Sequence, residues 1–202
     1  AVQAVEPAQD APAPAEEAPA APEDVQVVAD LHEDAQLVAP ISDALSRVTK
    51  KPFGIEIHPE TSPVPGDKFN GFHVGVDFET FPEEQDIDVP ISAACAGPLL
   101  FKKQAQGYGG VAVQRCVLDG RSVSVIYGHM RLSSIEAVAG DRFIPGQRIG
   151  VLGTGYSAET NGVRKHLHFG IRDSATSTDI RGYVPKEEDE AGFLDALDYM
   201  VK

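Results

Sequence analysis

The chain has little of several things that would each define a class of protein. No run of eighteen apolar residues occurs in its 202 residues, which excludes a membrane-spanning helix. Cysteine is limited to Cys95 and Cys116, too few for a disulfide scaffold or a cysteine-based zinc finger. Bases are scarce: 17 Lys and Arg stand against 31 Asp and Glu, a net charge of -14. A surface of that sign repels phosphate backbones and anionic lipid, which argues against nucleic acid or a membrane surface as partner. The N-terminus lacks the basic start and apolar stretch of a signal peptide. It begins with Ala1 rather than Met, as expected of a chain whose leader has been removed or whose start was chosen for expression. No internal repeat of fixed period is visible. What is present, 42% hydrophobic residues, suffices for one good core and hardly for two.

Composition divides the chain. Residues 1–40 hold 12 Ala, 6 Pro and 9 acidic residues, with no Gly, Lys or Arg. Such a stretch buries too little surface to offset its ordering entropy, and its acids repel one another, so a disordered, extended linker is expected there. The remainder, residues 41–202, carries 22 acids against 17 bases and is expected to be a single domain. A second reading of the tail rests on Val25, Val27 and Val28 followed by His32, Glu33 and Asp34, which could dock as a strand and present a metal-binding side chain, as an inhibitory pro-segment would.

All 19 glycines lie beyond Phe53, and there short β-branched runs alternate with turn residues. Strands are expected over 71–78, 89–94, 99–103, 111–118, 122–127, 148–152 and 166–172, with Asp119-Gly120 as a tight hairpin turn. Strands this short and evenly punctuated predict a mostly β, antiparallel domain. Over 187–200, Phe193, Leu194, Leu197 and Met200 fall at helical spacing and predict a short closing helix.

Four of the six histidines fall in three places that suggest chemistry. In the segment from His73 to Asp77, a straight strand would put the two side chains roughly 13 Å apart, too far for one metal. A bend at Gly75 could bring both inward, although a structural hydrogen bond is the simpler reading of this pair alone. In the segment from His166 to Ile171, alternation puts His166 and His168 on one face and Leu167, Phe169 and Ile171 on the other. One imidazole can then bind a metal while its neighbour works on water, or the pair can simply face solvent at a sheet edge. His129, after Tyr127 and Gly128, sits where a strand of alternating residues ends and says little by itself. Taken together, two His and an Asp offer the N,N,O ligand set that suits zinc, with two further imidazoles left to move protons. No His-Glu-x-x-His helix is present, which excludes the metalloprotease plan built on that motif.

In this arrangement the chain resembles the lysostaphin/LytM-type zinc metallopeptidases, the peptidoglycan-cutting endopeptidases of bacterial envelopes. Residues 72–78 (FHVGVDF) are similar to the family's first ligand motif and residues 165–169 (KHLHF) to its second. Residues 127–130 (YGHM) are similar to its catalytic-histidine segment, with Met130 where Leu is usual. Residues 107–110 (GYGG) and 146–150 (GQRIG) are similar to its glycine turns, and 193–200 to its closing segment, with Ala196 where Pro is usual. The resemblance implies one zinc per chain held by His73, Asp77 and His168, with His129 and His166 flanking the attacking water. One of these would draw its proton and the other would steady the oxyanion or protonate the leaving amine. It further implies an antiparallel sheet whose loops wall a groove over the metal, a peptidoglycan peptide as substrate, and an exported protein of the periplasm, cell wall or extracellular space. In such a compartment Cys95 and Cys116 can pair, with buried free thiols as the alternative. The alternative function is a non-catalytic envelope protein that uses the same fold to bind or regulate a wall hydrolase. Members of that kind typically lose metal ligands, and this chain keeps them. Arg164 and Lys165, just before the second histidine motif, read as a solvated loop or as contacts for a substrate carboxylate.

Overall fold

Val, Ile and Tyr at alternate positions, interrupted by Gly and Asp, favour a pleated half-buried surface, and most of the folded region is strand. The computed structural model describes residues 36–174, 176 and 178–200. A single helical turn, α1 (Ala44–Arg47), precedes β1 (Glu56–Ile57), β2 (Gly71–His73), β3 (Val76–Glu79) and β4 (Pro90–Ser92). The long strands follow as β5 (Gly97–Ala105), β6 (Gly109–Leu118) and β7 (Arg121–Gly128). Then come β8 (Arg142–Phe143), β9 (Arg148–Val151), β10 (His166–Arg172), β11 (Tyr183–Val184) and β12 (Phe193–Leu194).

The main sheet runs β12-β10-β7-β6-β5-β8, with β3 also paired to β10, and small sheets β1-β2-β11 and β4-β9 lie beside it. Every pairing between these strands is antiparallel. The expected mostly β, antiparallel architecture is therefore the one observed. Six of the seven expected strands, all but 71–78, are present to within two residues at either end. Asp119 and Gly120, both at positive φ (47° and 70°), close the β6–β7 hairpin.

Alternation gives the main sheet two different faces. Val123, Val125 and Tyr127 of β7, with Leu167, Phe169 and Ile171 of β10, enter the principal core together with Val76 and Phe78 of β3. The opposite face carries Val111, Val113 and Ile126, packed with Tyr108 into a smaller cluster, and leaves the neighbouring stretch of β10 to polar side chains. Cys95 and Cys116 form a disulfide, Cα–Cα 5.8 Å, which ties the turn after β4 to β6. Beside it Tyr127 Oη donates to Gln114 Oε1 (2.8 Å) and accepts from the Ala94 N–H (2.9 Å), so a buried polar network backs the same turn.

Three expectations change. The strand over 71–78 is two strands, because the chain leaves one sheet at His73 and enters another at Val76. The closing helix over 187–200 is broken into a 3-10 segment (Glu187–Gly192), strand β12 and a 3-10 turn (Ala196–Asp198). There β12 pairs with the part of β10 that β3 does not reach (Ile171 opposite Leu194), and those ladder bonds outweigh a marginal helix that would contain Gly192. Finally, most of the stretch expected as linker, including His32, Glu33 and Asp34, lies outside the described residues, but its end belongs to the folded body. Leu37 is fully buried, its N–H donates to Tyr199 O (2.7 Å), and Val38 N–H donates to Ala94 O (2.9 Å).

Candidate functional site

Strand register assembles the polar face. In the β3–β10 ladder His168 stands opposite Asp77 and His166 opposite Glu79, so all four share one side of the sheet. On the other flank His168 faces Gly128, immediately before His129. His129 itself has φ 61°, a left-handed conformation rarely adopted by a bulky residue, and it turns the chain at the end of β7 so that its ring meets His166 at 4.3 Å between centroids. His73 comes from the neighbouring small sheet, and the break at Val74-Gly75 carries the chain across. A Cβ on Gly75 would lie 2.6 Å from the His168 ring, so only glycine lets the crossing pass this close.

The result is a triangle of donor atoms. His73 Nε2 lies 3.0 Å from His168 Nδ1 and 3.2 Å from Asp77 Oδ1, and His168 Nδ1 lies 3.2 Å from the same oxygen. All three residues are buried. Bonds of about 2.0–2.1 Å to a tetrahedral zinc require ligand atoms about 3.3 Å apart, so the triangle matches one face of that tetrahedron. Three electron-pair donors facing one point repel each other, and a cation at that point offsets the repulsion. His73 Nδ1–H donates to Pro52 O (3.1 Å), which leaves Nε2 its lone pair, as a metal ligand needs. The residues present therefore fit a zinc ion. Burial would raise the Asp77 carboxyl, but the electrostatic attraction of the surrounding side chains, His166 foremost, outweighs it and holds the group well below its ordinary range.

The two remaining histidines are oriented by backbone carbonyls. His129 Nδ1–H donates to Tyr108 O (2.7 Å) and His166 Nδ1 meets Arg164 O at 2.9 Å. His129 keeps Nε2 free, whereas His166 Nε2 lies 3.2 Å from Asp77 Oδ2. Burial, reinforced by His166, holds His129 well below the ordinary imidazole range, so it is neutral at neutral pH. Burial likewise brings His168 down to about 4.

Both cations before β10 are buried, which overturns the reading of them as a solvated loop, and Arg164 lines the cleft over the site. The Arg164 guanidinium forks onto Glu79 and reaches Asp77 Oδ2 at 2.8 Å. Lys165 Nζ donates to the carbonyls of Glu84 (2.8 Å) and Ile87 (2.5 Å). Neither partner was legible, since each lies some eighty residues upstream. Lys51, also unremarked in the sequence, is buried beside the site, paired with Asp67 and donating to Tyr183 Oη (2.9 Å). Beside the triangle lies a cleft of about 420 Å³, lined among others by Tyr108, Phe69 and Tyr183, the last two with rings stacked at 4.8 Å.

This chain belongs to Peptidase family M23, whose sequence profile matches residues 71–180. The resemblance to lysostaphin/LytM-type peptidases read from the motifs is borne out. Family M23 is zinc-dependent, and the His73–Asp77–His168 cluster is a possible site for the ion. Among curated proteins, the uncharacterized protein Rv3786c of Mycobacterium tuberculosis is 30% identical over 107 residues, which are 53% of this chain and 23% of that protein. The chain thus spans about a quarter of the length of the curated relatives it matches. Among solved structures, a chain of the SpoIIIAH and SpoIIQ complex matches with a TM-score of 0.52 at 20% identity, covering 81% of this chain and 99% of that one. That likeness is one of fold. LytU matches with a TM-score of 0.48 at 25% identity, over 74% of this chain and 80% of that one. Among the described residues no helix is long and apolar enough to cross a membrane.

Proposed function

We propose that this chain is a zinc-dependent endopeptidase that hydrolyses the peptide cross-links of bacterial peptidoglycan outside the cytoplasm. The observation that carries the reading is the donor triangle of His73, Asp77 and His168 with two oriented, non-ligating imidazoles beside it. Zinc held there supplies a Lewis acid that polarises a peptide carbonyl and lowers the pKa of water. His129 is the base: its Nδ1–H is committed to Tyr108 O, and burial keeps the ring neutral so that Nε2 accepts the proton of the attacking water. His166, its ring 4.3 Å from that of His129 and its Nε2 beside Asp77 Oδ2, is the donor that steadies the oxyanion, and the proton that His129 took from water passes to the leaving amine. Arg164 holds the outer oxygen of Asp77, so Oδ1 stays aimed at the metal position. The cleft lined by Tyr108 and the Phe69–Tyr183 stack suits an extended peptide.

The disulfide supports an exported location, since such bonds persist in oxidising compartments. The complete donor set favours an enzyme over a non-catalytic regulator of the same fold. The test is to incubate the zinc-loaded chain with purified peptidoglycans of different cross-bridge chemistry and to identify released peptides by mass spectrometry. New amino and carboxyl ends within the cross-link are expected. A fully zinc-loaded chain that releases nothing from any of them would overturn the reading in favour of a binding or regulatory module.

A further inference from the structure

Four buried side-chain polar atoms among the described residues lack a hydrogen-bond partner, and two of them flank the same glycine. They are the Tyr108 hydroxyl and His168 Nε2. A side chain built on Gly182 would lie 3.0 Å from the hydroxyl oxygen and 3.5 Å from His168 Nε2. The phenol and imidazole rings themselves meet edge to face, 5.2 Å between centroids. The absence of a side chain at Gly182 is what leaves room between the two groups.

His168 belongs to the donor triangle through Nδ1, which must then carry a lone pair and no proton. A neutral imidazole in that state holds its proton on Nε2, here a fully buried donor. Leaving such a donor unpaired is costly, and ligating histidines almost always pass this proton to a carboxylate, a carbonyl or water. The Tyr108 hydroxyl, equally buried and equally without a partner, borders the same space beside Gly182. Burial holds the phenol protonated, far above its ordinary range, so it is a neutral oxygen with lone pairs to offer.

We propose that the Tyr108 hydroxyl is the acceptor for His168 Nε2–H and thereby fixes the imidazole in the tautomer that directs Nδ1 to the metal. A small rotation of either ring, or one water in the space beside Gly182, completes the contact. Tyr108 is then a positioning residue twice over. Its backbone carbonyl orients His129, and its side chain orients His168. The turn from Gly107 to Gly109 does more than reverse the chain: it sets one histidine of each kind. The inference rests on the proposed metal site and on Nδ1 ligation by His168.

The test uses the full chain and Tyr108→Phe, which keeps the ring and removes only the oxygen. Zinc affinity is measured by competition with a chelator, and the His168 tautomer by ¹⁵N NMR of the zinc-loaded and zinc-free protein. About a tenfold or greater loss of zinc affinity is expected, with the Nε2–H form of His168 losing its dominance in the zinc-free variant. The melting temperature of that zinc-free variant should fall by no more than the loss of one buried hydrogen bond accounts for, since His168 Nε2–H loses its acceptor while the ring keeps its packing. Wild-type affinity together with an unchanged tautomer would overturn the proposal, as would a lower melting temperature that accounts for the whole loss of affinity. A wild-type chain that takes up no zinc overturns the metal site and the inference with it. Neither readout needs peptidoglycan, so a chain with the expected zinc behaviour that cuts no peptide would count against the proposed function alone.

Discussion

Arg164 donates to Asp77 Oδ2 at 2.8 Å while Asp77 Oδ1 faces His73 and His168. The two oxygens of one carboxylate are thus divided between a buried cation and the donor triangle. Glu79, opposite His166 in the ladder, holds the other side of the guanidinium. An anion beside a metal position is ordinarily free to rotate, and here it is pinned.

Removing the pin has two consequences. Arg164→Met should leave Asp77 and Glu79 without their cation and destabilise the fold by about 3 kcal/mol, the scale for breaking a buried pair. It should also weaken zinc binding. Urea denaturation and chelator competition read the two effects separately, and an unchanged midpoint would show that Arg164 is dispensable to the fold.

The donor triangle predicts one zinc per chain, lost on replacement of any corner. His73→Ala, Asp77→Ala and His168→Ala should each remain folded with little bound metal by elemental analysis. Full occupancy in Asp77→Ala would remove Asp77 from the ligand set.

His129→Ala and His166→Ala are expected to keep zinc but to lose roughly 100-fold or more in turnover, the usual scale for a positioned acid or base. A His166→Ala chain that cuts at the wild-type rate would mark that residue as structural.

Acid should destabilise the zinc-free protein over a defined window. Burial holds His129 and His168 below the ordinary 6.5, His168 at about 4. Above 6.5 both are neutral whether folded or unfolded and contribute no pH dependence. Below it the unfolded chain binds protons that the fold refuses, so stability should fall from about pH 6.5 toward about pH 4. Denaturation midpoints measured across that window check this, and a flat profile would contradict it.

Truncation should separate the tail from the body. Deleting residues 1–36 should leave the melting temperature unchanged, because composition alone argues that most of that segment orders nothing. Deleting residues 1–40 also removes fully buried Leu37 and the backbone bonds at Leu37 and Val38, a loss of about 1.5–3 kcal/mol for the side chain alone. Activity on soluble peptide should be the same with and without residues 1–36. A several-fold gain, reproduced by His32→Ala in the full chain, would identify an inhibitory segment.

The sheet was legible because period-two alternation is a local property. From it alone His166 and His168 share a face, with Leu167, Phe169 and Ile171 turned to the core, as observed. The approach of His73 to Asp77 was legible only as a possibility at Gly75, since their contact depends on the chain changing sheets. Arg164 and Lys165 do not form a solvated loop because the carboxylates and carbonyls that hold them are contributed by β3 and the segment after it, and no local pattern records such pairing. Over 187–200 the apolar spacing is helical, yet a vacant stretch of the β10 edge captured Phe193 and Leu194. Tyr108 was seen only as part of a glycine turn, because an unpartnered hydroxyl leaves no trace in the sequence.

Asp77 and His168 stand 91 positions apart in the chain. An ion shared by them closes a loop that long and, within it, encloses the 21-residue separation bridged by Cys95 and Cys116. The disulfide stabilises by closing its loop in the unfolded ensemble, whereas an ion that binds the folded chain stabilises it by mass action. The metal position is therefore also a clasp, and a reversible one, set outside a permanent covalent staple. On the proposed function, withdrawing that ion should lower the melting temperature of a chain that stays folded, at the same moment that it stops the chemistry.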